Sequence, residues 1–509
     1  MLATALTAVL QGIDAQPVRV EVESRRGPAE FVLVGLPEAS VRESRVRVRS
    51  ALQGLGVNLW DTFLVVNLSP ADVRKTGGSF DLAIATATMA ALGDVDSSSL
   101  NDTLLLGELS LSGAIRPVRG VLPQLLGARR RGVTKAIVPS ENAWEAASVG
   151  GIEVRVAADL TQVREHLTGK ALLAAPEERA YEPVLTQNLD MSDVRGQPGA
   201  RRALELSAAG GHHLLMIGPP GGGKTMLARR LPTVMPPLTY EEAVQVSVVH
   251  SVAGILPADS GLVRARPFRA PHHTVSDAGL IGGGDPPRPG EVSLAHRGVL
   301  FLDELAEFRR STLEALRQPL EDGELTISRA RSQATFPAAP LLVAAMNPCP
   351  CGYAGDRSGR CHCGEHRIRA YRSKLSGPLL DRIDIHVNVP SVSVGDLRSL
   401  SPGESSQQVR SRVVAARREQ RERQRRGETS VEVNGSLTRT DLERVAEPDE
   451  QGAALLAQAV DKLGLSARAY TKVLRVARTA ADLEGSDGVK VRHVAEAIHA
   501  RILDRTAGT

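Results

Sequence analysis

Aromatic residues are scarce in this chain: Phe, Tyr and Trp make up 3% of its 509 residues. Binding of single-stranded nucleic acid by base stacking therefore has little material to work with. Cysteine is scarcer still, and all four lie between Cys349 and Cys363. That excludes a disulfide framework spread along the chain and points to a local site. No stretch approaches the ~18 uninterrupted apolar residues of a membrane span. Met1 to Leu10 is apolar, but it lacks the basic start and small-residue cleavage site of a signal peptide. Net charge is only +4, so any nucleic-acid surface must be local rather than a property of the whole chain. What remains, 42% hydrophobic and 24% charged residues, is the composition of a soluble globular protein. The length suggests about three domains, and the expected location is cytoplasmic.

The most informative stretch runs from His213 to Leu231. An apolar run, Leu214 to Ile217, breaks at once into Gly218-Pro219-Pro220-Gly221-Gly222-Gly223-Lys224-Thr225, and Met226 to Leu231 reads as a helix behind it. Strand, glycine-rich loop and helix in that order make a phosphate-binding loop. Glycines let backbone N–H groups surround a phosphate, and the helix N-terminus adds a positive dipole end. Lys224 would reach the β- and γ-phosphates, and the Thr225 hydroxyl would hold Mg²⁺. The chain is expected to bind a nucleoside triphosphate, ATP with Mg²⁺.

Gly298-Val-Leu-Phe-Leu-Asp303-Glu304 is a buried strand ending in two carboxylates. Asp303 would act through Mg²⁺, and Glu304 would polarise the attacking water. The separation of 79 positions from Lys224 to Asp303 exceeds one strand–helix–strand crossover. Residues 254–290, rich in Gly and Pro, should therefore contain an inserted loop or hairpin. His272 and His273 lie within it; polar loop residues are the simpler reading, a metal pair the sharper one. Leu341 to Asn347 reads as a further strand, and Asn347 could orient the attacking water or simply end the strand. Gly377 to Asp384 places Arg382 at a helix end, where it could serve as an arginine finger for a neighbouring subunit.

Residues 1–172 form a separate unit. Val18 to Val22, Phe31 to Val34 and Phe63 to Leu68 read as strands, and Ala39 to Leu52 and Phe80 to Leu92 have helical spacing. Asp72 to Ser79, Gly107 to Pro117 and Lys135 to Asn142 together resemble the proteolytic domain of Lon-type proteases, in which a lysine activates a serine. Ser79 stands at the nucleophile position, but the position of the base is Leu122. The only lysines up to residue 170 are Lys75, Lys135 and Lys170. The domain therefore reads as a non-catalytic scaffold or interaction module. Residues 173–190 read as a linker, 191–390 as the ATPase core, and 391–509 as a helical lid and C-terminal domain.

The order of these pieces, with Phe268 to Thr274, Pro289 to His296 and Ser376 to Asp384, resembles the AAA+ ATPases. The closest resemblance is to the magnesium-chelatase-like group known as YifB or ComM proteins. The implied fold is α/β: a P-loop AAA+ module with a helical lid, preceded by an α+β Lon-protease-like domain. The resemblance implies a homo-hexameric ring with ATP between subunits. It also implies a DNA motor driving branch migration, on single-stranded or branched DNA. A chelatase-like or protein-remodelling ATPase is the alternative. Asp322 to Arg331 reads as a strand leaving a tight turn, and in related helicases and chelatases a hairpin here points into the pore. Arg329 and Arg331 alternate onto one strand face, where they could meet a phosphate backbone or merely be solvated.

Cys349-Pro-Cys351 and Cys361-His-Cys363 could make a structural Cys₄ zinc site, although Cys-x-Cys is not the well-attested Cys-x₂-Cys; free thiols or a redox pair are the alternatives. Arg410 to Arg426 holds eight arginines and two glutamates, either a solvated helix or a nucleic-acid-facing one. Ser466 to Arg478 reads as a Ser-capped helix and resembles the AAA+ lid, in which an arginine reads the γ-phosphate. Arg468 is favoured for that role and Arg475 is the rival.

Overall fold

The computed structural model describes residues 1–501 except 178, 186, 187, 258, 260, 330, 331, 357, 358 and 392–402. The N-terminal domain is built on a seven-stranded mixed sheet. Its strands are β1 (Leu2–Gln11), β2 (Asp14–Arg26), β3 (Glu30–Val34), β4 (Thr62–Ser69), β5 (Thr103–Leu105), β6 (Lys135–Pro139) and β7 (Glu153–Ala157), in the order β3-β4-β2-β1-β5-β6-β7. Alternation sets its faces: Val18, Val20 and Val22 of β2 are fully buried, and residues two apart share one side of a strand. Helices α1 (Ala39–Gly54) and α2 (Asp81–Ala91) cover one face, and every residue of α2 is buried. Helix α3 (Val121–Arg130) lies on the other face. The apolar N-terminal residues form β1 at the centre of this sheet.

The second sheet is parallel throughout. Its strands are β8 (Leu214–Ile217), β9 (Phe268–Arg269), β10 (Val299–Leu302), β13 (Leu341–Met346) and β14 (Ile385–Asn388), in the order β9-β10-β13-β8-β14. Between β10 and β13 a separate hairpin is made by β11 (Glu324–Arg329) and β12 (Ser332–Pro337). The central strands are apolar at every position because helices cover both faces. Helices α4 (Pro198–Gly210) and α5 (Lys224–Val234) cover one face, and short helical segments carrying Leu280, Val292, Leu305 and Leu313 cover the other. Helix α6 (Tyr240–Ala253) packs its apolar residues toward the N-terminal domain. The expected insertion between α6 and β10 is present as a short helix, Asp277–Ile281, and a small hairpin pairing Gly282–Gly283 with Arg288–Pro289.

The C-terminal helices are α7 (Ser406–Arg425), α8 (Arg439–Val445), α9 (Glu450–Leu463), α10 (Ala467–Leu483) and α11 (Val491–His499). They share one apolar core with α4 and α5. A buried polar set crosses the same seam: His212 Nδ1 lies 3.0 Å from Asp384, His212 Nε2 lies 2.7 Å from Thr479 Oγ1, and Lys472 lies 3.2 Å from Asp384. The predicted Ser cap holds, with Ser466 accepting from the Ala469 N–H.

The N-terminal domain joins the core through α3, which shares an apolar cluster with α6. Leu122 is fully buried in that cluster, and its N–H donates to the buried Glu145 carboxylate at 2.8 Å. Ser251 of α6 donates to the same carboxylate. Burial is the leading influence on Glu145 and raises its pKa. The segment before the core contacts both units: Val156 N–H donates to Ala174 O at 2.9 Å, and Tyr181 OH donates to Leu238 O at 3.1 Å. The position that would carry a Lon-type base is thus occupied by apolar packing. Leu122→Lys is expected to destabilise the protein by about 3 to 5 kcal/mol, the cost of an unpaired buried charge, without creating peptide hydrolysis. Denaturation and a fluorogenic peptide assay check this; an unshifted midpoint with peptide cleavage would contradict it.

Candidate functional site

Three strand ends converge beside the glycine-rich loop. β8 runs into Gly218 and α5 begins at Lys224, so the loop occupies the carboxyl end of the sheet, where ligands bind in open α/β folds. The glycines are required sterically. A Cβ on Gly218 would lie 2.0 Å from the Val389 carbonyl oxygen, and Gly221 and Gly223 have φ of 76° and 84°, a region side chains avoid. Gln197 fastens the loop from outside, its Nε2 donating to Gly222 O at 2.7 Å and Pro390 O at 3.0 Å.

Lys224 is 9% exposed. Its ammonium donates to Gly218 O at 2.7 Å, Pro219 O at 2.9 Å and Asn347 Oδ1 at 3.2 Å. Burial lowers its pKa, while the Asp303 and Glu304 charges pull the other way. Thr225 Oγ1 donates to Asp303 Oδ2 at 2.7 Å. A hydroxyl and a carboxylate in contact, beside a buried lysine and a glycine-rich loop, are the donor set for a magnesium–triphosphate complex. Glu304 follows in left-handed backbone conformation, φ 52°. Residues held there without glycine cluster at functional sites.

His273 Nδ1 lies 3.1 Å from Glu304 Oε2, and its ring stacks on His272 with centroids 4.0 Å apart. The histidine pair is therefore a neighbour of the glutamate; the only sequence signal was its place in the insertion before β10. Lys224, Thr225, Asp303, Glu304 and Asn347 come together. Arg382 and Arg468 do not join them. Both line a basic cavity of about 760 Å³ that also touches His213, Gly298 and Leu341, the residues that begin or precede β8, β10 and β13. The cavity thus opens at the amino end of the sheet, a strand length of about 13 Å from the loop. There Arg382 is largely buried against Glu321, with its Nη1 donating to Pro378 O at 2.6 Å. Arg468, 70% exposed, lies 3.2 Å from Asp381. Arg475 commits its guanidinium to Leu437 O at 2.9 Å, leaving Arg468 as the available arginine of the two.

The four cysteines gather in one cluster, their Sγ atoms within 4.8 Å of one another. Their turn lies on the phosphate loop: a Cβ on Gly352 would be 2.6 Å from Pro220 Cδ. Arg329 is exposed on β11, and Arg331 lies outside the described residues. The arginine-rich α7 is largely turned inward. Arg412 pairs with Glu205 and Glu404, Arg423 with Asp482, and Arg417 donates to Ala208 O at 3.0 Å. Its charge serves the lid's attachment to the core.

A parallel sheet carrying this loop and carboxylate pair at one end defines an AAA+ ATPase, with ATP and Mg²⁺ as its substrate and cofactor. Three family models match in series: "Magnesium chelatase, subunit ChlI" over residues 190–397, "Subunit ChlI of Mg-chelatase" over 20–142, and "Magnesium chelatase, subunit ChlI C-terminal" over 403–501. The chain belongs to the magnesium-chelatase-like YifB/ComM family. It is 41% identical to YifB of Escherichia coli over 505 residues, covering 99% of this chain and 98% of YifB. It is 42% identical to competence protein ComM of Haemophilus influenzae over 511 residues, covering 99% of this chain and 98% of ComM. Lon protease of Syntrophomonas wolfei is 29% identical over 155 residues, which span 29% of this chain and 19% of that protease. No described helix is long and apolar enough to cross a membrane.

Glu304→Gln is expected to retain ATP binding and slow hydrolysis by about 10² to 10⁴-fold, the usual worth of a positioned base. Equilibrium nucleotide binding and single-turnover hydrolysis check this; loss of binding together with turnover would contradict it.

Proposed function

We propose that this protein is a ring-forming, Mg²⁺-dependent ATPase that moves DNA. The Thr225–Asp303 contact of 2.7 Å, next to Lys224, is the observation that carries the ATPase reading. Backbone N–H groups from Gly221 to Thr225 bind the phosphates, and Lys224 exchanges the Gly218 and Pro219 carbonyls for phosphate oxygens. Thr225 and Asp303 hold Mg²⁺, which when bound neutralises charge on the β- and γ-phosphates. Glu304 takes the proton of the attacking water, which Asn347 helps to orient.

Arg382 and Arg468 serve the ATP of a neighbouring chain. Their place at the opposite end of the sheet from Lys224 supports this, because a ring brings one subunit's amino-end face to the next subunit's loop. Arg382 would leave Glu321 to meet the transferring phosphate. A homo-hexamer is the assembly proposed. Lys224→Ala and Arg382→Ala are each expected to abolish hydrolysis, and mixing the two variants should restore part of it. An interface is then intact where the Arg382→Ala chain supplies the loop and the Lys224→Ala chain supplies the arginine. Mixtures that stay inactive would contradict the shared site.

DNA as the moved partner is supported by the competence name of the Haemophilus relative and by the hairpin geometry. Arg329 is exposed, and a Cβ on Gly283 of the small hairpin would stand 3.1 Å from Arg329 Nη2. Two hairpins thus lie side by side with a guanidinium between them, a form suited to gripping a phosphate backbone. The chelatase-subunit family models favour a second reading, a chelatase-like or protein-remodelling ATPase; the sequence lacks an acidic metal-handling tract. Single-stranded or branched DNA is expected to stimulate ATP hydrolysis, and Arg329→Ala/Arg331→Ala should remove the stimulation and spare basal turnover. DNA-independent hydrolysis by the assembled ring would favour the remodeller.

The Cys cluster is proposed as a structural zinc site. Tetrahedral Zn–S bonds of about 2.3 Å put the sulfurs roughly 3.8 Å apart. Cys349–Cys361 and Cys351–Cys361 stand at 3.8 and 3.7 Å. Four protein ligands fill the coordination sphere, so the site would brace the turn over Pro220 rather than act on substrate. Purified protein is expected to carry one zinc per chain by mass spectrometry, lost in Cys361→Ser. Metal-free wild type with full ATPase activity would contradict this.

A further inference from the structure

The charged run that stands out in the sequence, on α7, is partly engaged by internal partners: Arg412 meets Glu205 and Glu404, and Arg423 meets Asp482. A second run lies at the Cys cluster. Residues 359–374 hold Arg360, Arg367, Arg369, Arg372 and Lys374 against one carboxylate, Glu365. That local excess equals the +4 of the whole chain. The segment leaves the Cys cluster through Cys361 and Cys363 and continues as the helix Glu365–Arg372. Its inner side is fixed. Tyr371 is buried, its hydroxyl pushed up to about 12 by burial and the nearby Glu307 and Glu304 charges, and Lys374 pairs with Glu307 at 3.2 Å.

Its outer side is open. Arg360 is 57% exposed, with its guanidinium carbon 4.1 Å from the Tyr353 ring centroid and its Nη2 3.7 Å from Asp356 Oδ2. Arg369 is 74% exposed and, among the described residues, pairs with the exposed Glu365 at 3.4 Å, a pairing worth little in water. Arg367 is exposed and has no carboxylate partner among the described residues. His362 and His366 stand exposed beside them. The segment thus presents guanidinium groups on a knob that leaves the Cys cluster.

We infer that this Cys-nucleated knob is a binding surface for the phosphate backbone of nucleic acid, with Arg360, Arg367 and Arg369 as the contacts. The inference rests on the DNA reading above and adds a contact apart from the hairpins. Charge without apolar surface decides the partner class. None of the large exposed hydrophobic residues lies between Cys349 and Lys374, whereas a protein interface has an apolar centre. Guanidinium groups fit phosphate oxygens in pairs. Such contacts position a strand without reading its bases, so the surface should not select sequence.

Wild type, Arg360→Ala/Arg367→Ala/Arg369→Ala, the corresponding triple Lys variant, Arg367→Glu alone and Arg329→Ala/Arg331→Ala would be titrated into fluorescein-labelled oligothymidine and a duplex of equal length. The titrations would be run at several salt concentrations with a non-hydrolysable ATP analogue. The triple Ala variant is expected to lose affinity on the order of tenfold or more, and its log–log salt slope should fall by about 2 to 3. Arg367→Glu should weaken binding in the same direction, and the triple Lys variant should keep the wild-type slope. If wild type binds DNA and the hairpin variant weakens it while the triple Ala and Arg367→Glu variants do not, the knob inference alone is overturned. If wild type binds no DNA at any salt, the DNA reading falls and takes this inference with it. A triple Ala variant that binds DNA normally but no longer assembles would assign the knob to ring contacts, overturning the inference as well.

Discussion

A lysine ammonium nine-tenths removed from water has to be satisfied by something, and the ATPase core is arranged around that requirement. Lys224 has two loop carbonyls and the Asn347 amide oxygen as acceptors. Those acceptors come from the ends of β8 and β13, which are hydrogen-bonded neighbours with Ile217 opposite Met346. The register of that pair therefore sets how far Asn347 stands from the loop. Neutral carbonyls are weaker partners for an ammonium than phosphate oxygens. Gly218 passes so near the Val389 carbonyl that only glycine fits, which ties the same loop to β14.

From this follows the division of labour across the sheet. Parallel strands gather carboxyl ends on one side, where Lys224, Thr225, Asp303, Glu304 and Asn347 meet. The amino ends gather on the other side, where Arg382 and Arg468 share a basic cavity. The lid reinforces the division: α10 is tied through Lys472 and Thr479 to Asp384 and His212 at the amino end. The N-terminal domain is attached to α6 through a leucine and a buried glutamate where a Lon-type enzyme would have a lysine. A position that serves catalysis in one setting serves assembly in this one.

How much of this was legible in the sequence depended on how local the determinants are. The phosphate loop was, because its chemistry needs consecutive glycines and a lysine. The strands and helices of the N-terminal domain were also legible, from period-2 and period-3.6 patterns. Arg382 and Arg468 could be picked out by type and helix position, but not by the side of the sheet they occupy, which depends on strand order. The arginines of α7 looked available because two of their partners, Glu205 and Asp482, are far away in sequence. The basic knob escaped notice for the opposite reason, its charges being interleaved with Cys, His and Gly. His273 gave no hint of meeting Glu304, since the contact closes only when β9 lies beside β10.

The central claim is that a complete ATP site needs two chains. The most direct measurement is ATPase rate per chain across a dilution series, with assembly state followed in the same samples by mass photometry. The rate per chain should rise from near zero in step with ring formation. A rate independent of concentration, sustained by monomers, would mean that one chain completes its own site and would contradict the account.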